Sequence, residues 1–258
     1  MIKEHTKFEN SNIFEGMPSI SAVIKSIENQ KSDRKILRVI VDNKKIKSKA
    51  KEISFLKKKA QLLGFDIEYC DTSVIDGIAI GSTHGGIIAE CTQRSIPELS
   101  NAIVQNNGVY YILEGVEDPY NFGNALRSLY ASGADGIIVG ERNWLGAAGV
   151  VCRASAGASE LLDSYVCNAT EAITLFKSKG YKVICAGIRD SVSLFSADLS
   201  KPLLVILGGE KRGISRNVLD MADEIVKIDY GTDFNGSLSA SASASVFGFE
   251  VLRYNTKK

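Results

Sequence analysis

The amino-acid sequence predicts an α/β protein: a small α/β domain over residues 1–95, a linker over 96–107, and a larger domain over 108–258 built on a parallel sheet. Three observations carry that reading. First, the C-terminal half contains continuous apolar, partly β-branched runs closed by glycine or a polar loop, as strands covered on both faces are. Second, segments of helical spacing separate those runs, and strand, helix, strand at this spacing makes a right-handed parallel unit. Third, 45% hydrophobic and 24% charged residues are ordinary for a globular chain, and no stretch approaches the roughly 18 apolar residues of a membrane helix.

Taken in order, Met1 to Phe14 reads as a loose arm. Ser21 to Asn29 has helical spacing, and Ile36 to Asp42 reads as a strand. Lys49 to Leu63 is amphipathic, with Ile53, Phe55, Leu56, Ala60 and Leu63 available for a core, and Gly64 is a natural stop. A strand over Asp66 to Cys70, a short element from Ile75 to Gly77 and a strand over Ile87 to Cys91 complete the small domain. In the larger domain the strand Val109 to Val116 leads through a polar loop to Asn121, placed to cap a helix over Phe122 to Ser132. Gly136 to Gly140, Tyr181 to Gly187, Leu203 to Leu207 and Glu224 to Ile228 supply further strands. Ala169 to Lys179 and the closing stretch from about Leu238 to Tyr254 are helices. Trp144 to Ala158, rich in glycine and alanine around Arg153, suits close approach to a ligand or a second subunit.

Composition narrows the chemistry. The polar N-terminus lacks the pattern of a signal peptide, so a cytoplasmic protein is expected. Cys70, Cys91, Cys152, Cys167 and Cys185 are far apart, without a CxxC pair or a nearby histidine, so free buried thiols are expected and no metal. His5 and His84 both lie in the first third, which leaves the C-terminal half without an imidazole for acid–base work. Net charge is only +1, yet the stretch from Lys31 to Lys59 is strongly basic. Such a run is a solvated face or a surface for a polyanion, whose affinity comes mainly from neutralised phosphates.

Chemistry-bearing residues concentrate between Leu203 and Ser245. The run Leu203 to Leu207 ends in Gly208-Gly209, and Glu210, Lys211 and Arg212 stand before Gly213 at the carboxyl end of a buried strand, where open α/β sheets bind ligands. A second glycine-containing loop follows Ile228 and reaches Ser237-Leu238-Ser239. Two such loops side by side can cup a flat cofactor. Neither GxxxxGK[ST] nor a GxGxxG after a strand is present, so the loops themselves must carry the argument.

Asn121-Phe122-Gly123-Asn124-Ala125-Leu126-Arg127 resembles the first motif of the SpoU-type RNA ribose 2′-O-methyltransferases of the TrmH-like SPOUT superfamily. Gly208 to Gly213 is similar to their second motif, Ile228 followed by Ser237-Leu238-Ser239 resembles the third, and Arg153 to Gly157 matches a further segment. Ser82 to Ile88 resembles a patch of the family's N-terminal substrate-binding domain. The third motif departs from the family pattern at Asp229, at Ser239 and by one extra residue between them.

The resemblance implies a C-terminal trefoil-knot domain, a small RNA-binding α/β domain before it, and a homodimer. It implies S-adenosyl-L-methionine held mainly by backbone groups at Gly208, Gly209, Ile228 and Leu238, with no metal. Catalysis is implied for Arg127, held by Asn121 and Glu210, with Ser237 and Ser239 from the third motif. A guanidinium with a pKa above about 12 is a poor base, so Arg127 is expected to stabilise a developing alkoxide and orient the adjacent phosphate. The activity so implied is 2′-O-methylation of RNA, ribosomal RNA ahead of transfer RNA. The other reading is a non-catalytic RNA-binding protein of the same fold.

Overall fold

The computed structural model describes residues 12–101, 103–140 and 144–256, and these pack as two units. Residues 12–95 and 144–161 make the first, and residues 96–140 and 162–256 the second.

The first unit runs β1 (Ile13–Glu15), α1 (Gly16–Glu28), β2 (Ile36–Asp42), α2 (Ala50–Leu63), β3 (Asp66–Cys70), α3 (Thr72–Ile78) and β4 (Ile87–Cys91). Its sheet has the order β1-β4-β2-β3, with β4 antiparallel to both neighbours and β2 parallel to β3. Alternate residues Val39, Val41, Ile87 and Ala89 meet Ile20, Val23 and Ile24 of α1 and Ile53 and Leu56 of α2. Gly64 ends α2 at φ +73°, a conformation that favours glycine. Phe55, expected in this core, is 38% exposed and lies beside Lys59 instead.

Two further expectations change here. The arm expected over Met1 to Phe14 lies partly outside the described residues, but its end is β1, where Phe14 pairs with Ala89 and is fully buried. Three residues are too few for alternation to show in a sequence. The glycine- and alanine-rich segment forms the short helices Ala148–Ala154 and Ala158–Leu161, and Ala148 and Cys152 join the core of the first unit. A Cβ on Gly157 would lie 2.4 Å from that of Ala22, so the small residues permit packing on α1. Beside them Arg34 and Glu160 form a fully buried ion pair at 3.1 Å, and Arg34 Nη1 also donates to the Thr92 carbonyl at 2.5 Å.

The second unit runs β5 (Val109–Glu114), α4 (Pro119–Ala131), β6 (Gly136–Val139), β7 (Ser164–Val166), α5 (Ala169–Ser178), β8 (Lys182–Ala186), β9 (Val192–Ser193), β10 (Leu203–Gly208), α6 (Arg216–Leu219), β11 (Glu224–Lys227) and α7 (Ala240–Thr256). These seven strands form one sheet, β7-β6-β5-β10-β8-β11-β9, parallel throughout. β10 is central, and both faces of the sheet are covered. Tyr111, Val205 and Leu207 pack on Ala125 and Leu129 of α4 and Phe247 and Val251 of α7. On the other face Tyr110, Leu204 and Ile206 meet Ile173 and Phe176 of α5. This double coverage is why the strands read as unbroken apolar runs.

The helix α4 starts three residues earlier than the spacing predicts. Asp118 is its cap, accepting the Asn121 N–H at 2.9 Å, with Pro119 in the first helical position. Asn121 therefore sits inside the first turn, and its carboxamide is free to reach outward. After β11 the chain crosses the carboxyl ends of β8 and β10 before α7 returns to pack on α4 and β10.

Candidate active site

The loops that leave β8, β10 and β11 at their carboxyl ends enclose a cleft of about 680 Å³. That volume is ordinary for a small-molecule site. Its walls include Leu207, Ile214, Ile228 and Leu238, with the backbone of Gly187, Gly208, Gly209 and Gly213 open between them. The loop after β10 can close only with glycine. A Cβ on Gly209 would stand 2.0 Å from the Gly115 carbonyl oxygen, and one on Gly208 would stand 2.7 Å from the backbone of Gly213. Gly213, at φ +63°, donates to the Gly209 carbonyl at 2.9 Å and seals the turn. Apolar walls alternating with accessible peptide groups fit a flat, mixed-polarity cofactor, and all four positions expected to hold one line the cleft. The Leu238 N–H is already engaged, donating to Tyr230 Oη at 3.2 Å.

Asn121 and Glu210 come together at the start of α7. Asn121 Nδ2 donates to Glu210 Oε1 at 2.9 Å, and the Ala240 N–H donates to the same oxygen at 3.3 Å. Ser241 Oγ completes the set by donating to Asn121 Oδ1 at 3.3 Å. A carboxylate at the opening of a helix also meets the positive end of its dipole. Glu210 thus ties the turn after β10 to both α4 and α7. Lys211 pairs elsewhere, with Glu117 at 2.8 Å, and this hydrogen bond raises its pKa.

Arg127 is on the exposed face of α4 and makes no hydrogen bond or ion pair among the described residues. Asn121 and Glu210 therefore bond to each other and do not clamp the guanidinium, contrary to expectation. Arg127 is six residues after Asn121 and about 120° around the helix, which explains their separation. Ser237 lines the cleft and is exposed. Ser239 is occupied at the helix opening, its Oγ accepting the Ala242 N–H at 3.2 Å and meeting Ser241 Oγ at 3.0 Å. Sequence reading missed Ser241, Tyr230 and Phe234. The two aromatic residues, standing in an otherwise polar loop, were the signal available.

His84 is a turn residue: its Nδ1 accepts the Gly86 N–H at 3.1 Å and its Nε2 faces Asp76 Oδ1 at 3.1 Å. All five cysteines are free; Cys91 and Cys185 are buried, and burial pushes both thiols up to about 12. Among the described residues no three His, Cys, Asp or Glu side chains converge as metal ligands do, and no helix is long and apolar enough to cross a membrane.

A glycine-walled cleft at the carboxyl edge of a parallel sheet, closed by a chain that returns over that edge, defines an α/β protein that binds a small ligand where open sheets do. Residues 108–249 match the model of the SpoU rRNA methylase family, and the chain belongs to that family. Its relatives include the 23S rRNA (guanosine-2′-O-)-methyltransferase RlmB of Shewanella oneidensis, 29% identical over 76% of this chain and 81% of that one. Among solved structures, an RNA 2′-O ribose methyltransferase superposes with a TM-score of 0.77 at 21% identity, covering 95% of this chain and 88% of that one. The SpoU methyltransferase AviRb of Streptomyces viridochromogenes, in complex with AdoMet, gives 0.76 at 17% identity and covers 99% and 97%. The fold is thus the trefoil-knotted one, an exception to the rule that chains do not thread loops. The protein is a methyltransferase and S-adenosylmethionine is its methyl donor.

Proposed function

We propose that the protein methylates a ribose 2′-hydroxyl of ribosomal RNA. The observation that supports this most is the convergence of Asn121, Glu210 and the start of α7 beside the glycine-walled cleft. The relative named for the guanosine 2′-oxygen of 23S rRNA points to the same substrate class. When bound, S-adenosylmethionine supplies a methyl group already activated on a sulfonium. The chain's own task is then to hold the 2′-oxygen in line and to stabilise the charge it develops. Gly208, Gly209, Ile228 and Leu238 hold the cofactor, and Asn121 and Glu210 fix the turn that carries the first two. Arg127 has every guanidinium donor available for an alkoxide and its neighbouring phosphate. Ser237, open to the cleft, is placed to meet the ribose, while Ser239 and Ser241 keep the helix opening in place.

Residues 1–95 serve in this proposal as the RNA-binding domain, and the protein works in the cytoplasm. Two copies pair through α4 and α7, covering Tyr130, Phe249 and Leu252, which are 40%, 49% and 37% exposed. Light scattering should then give twice the 27.9 kDa chain mass, and a monomer mass at micromolar concentration removes the dimer. The activity is tested with methyl-labelled S-adenosylmethionine and an unmodified 23S rRNA transcript. The expected product carries label in an alkali-resistant dinucleotide, the mark of a 2′-O-methyl. Label in transfer RNA alone moves the substrate, and no label in either overturns the proposal.

A further inference from the structure

The loop between β11 and α7 carries an aromatic pair that the reaction above does not use. Tyr230 and Phe234 both line the cleft, with ring centroids 5.5 Å apart and planes tilted by 56°. They are 37% and 54% exposed, so a large part of each ring faces solvent. Both rings are nevertheless held. Tyr230 Oη accepts the Leu238 N–H at 3.2 Å, and the Phe234 ring lies over Gly236, where a Cβ would come within 2.4 Å of Cζ. Rings fixed before a ligand arrives lose little freedom on binding it.

Charge decides what they suit. The exposed Asp229 and Asp233 flank the rings, with Asp229 meeting Lys227 at 3.8 Å, and the cleft's other cation, Arg189, belongs to the loop after β8; the uncharged face of a nucleobase therefore suits the rings better than a phosphate does. Unpaired RNA bases are recognised by stacking on aromatic side chains. We propose that Tyr230 and Phe234 form a stacking platform for an unpaired base of the substrate RNA next to the methylated ribose. This rests on the reading of RNA as the substrate.

The test uses the full chain with Phe234→Trp and Phe234→Leu. Trp144 is the single tryptophan of the wild-type chain, so the difference between Phe234→Trp and wild type reports the platform. A ten-residue oligo(rA) should quench that added fluorescence. Phe234→Leu keeps an apolar side chain over Gly236 but lacks a π-face, and it should bind oligo(rA) on the order of 5- to 100-fold more weakly. Its KM for the 23S rRNA transcript should rise more than kcat falls, with unchanged S-adenosylmethionine affinity by calorimetry. Near wild-type RNA affinity in Phe234→Leu overturns the platform. So does an equal loss of cofactor affinity, which would assign the ring to adenine, or a change of oligomeric mass with KM unmoved. If oligo(rA) quenches Phe234→Trp but the wild type methylates no transcript, the platform stands and the proposed methyl transfer falls.

Discussion

Asn121 shows how one residue can be singled out for the wrong reason and still matter. Its position before an apolar helical stretch suggested a cap, but the Asp118-Pro119 pair just upstream is the stronger signal, a capping carboxylate followed by a residue that needs no N–H partner. Relieved of capping, Asn121 binds Glu210, 89 residues away, a contact that no local pattern can show. If this contact holds the cofactor turn, Asn121→Ala and Glu210→Ala should each weaken S-adenosylmethionine binding and should not add. Calorimetry on the double-mutant cycle should give a coupling of about 0.5 to 3 kcal/mol, and strict additivity removes the link. Glu210→Gln, which retains an accepting oxygen, should lose less than Glu210→Ala. Arg127 contrasts with both, because it has no partner among the described residues whose loss could disturb the fold. Arg127→Ala should therefore cost on the order of 2.7 to 4 kcal/mol in the transition state, read from kcat/KM, with the cofactor affinity and thermal midpoint unmoved. Arg127→Lys should recover little, since an ammonium lacks the planar fork.

At the scale of elements, strands were the most legible. Ile36–Asp42, Asp66–Cys70 and Ile87–Cys91 form over the residues expected, and Leu203–Gly208 extends its expected run by one residue. Their patterns report burial directly. What a pattern of small residues does not report is the surface it packs on, and so the placement of residues 144–161 beside α1 was invisible. Arg34 and Glu160 hold that placement, with side chains only 1% and 2% exposed. Removing one partner leaves a buried charge uncompensated, which typically costs about 3 to 5 kcal/mol. Glu160→Ala should therefore lower the urea midpoint sharply, and the double replacement Arg34→Met with Glu160→Leu should recover part of the loss. If Glu160→Ala unfolds like the wild type, the pair is not what anchors this segment.

For the whole molecule, the uneven charge seen in the sequence becomes a surface. Lys44, Lys45 and Lys47 are exposed on the turn after β2, while Lys49 pairs with Glu52 at 2.9 Å. Asp42 orders that turn, accepting the Lys44 N–H at 2.9 Å and the Thr72 hydroxyl at 2.9 Å. Replacing Lys44, Lys45, Lys47 and Lys49 with Gln should reduce the slope of log affinity for RNA against log salt by about 2 to 3, since each phosphate contact contributes roughly 0.7 to 0.9 and Lys49 is partly engaged. An unchanged slope returns the run to a solvated face. The return of the chain over the sheet has a temporal meaning as well. One wall of the cofactor cleft comes from the carboxyl ends of β8 and β10, and the other comes from Ile228 to Leu238, the stretch that crosses those ends after β11. A sheet assembled before that stretch has crossed it therefore has no pocket. Capacity to bind the methyl donor arrives only once the crossing segment has been drawn through, which makes cofactor binding a certificate of finished threading.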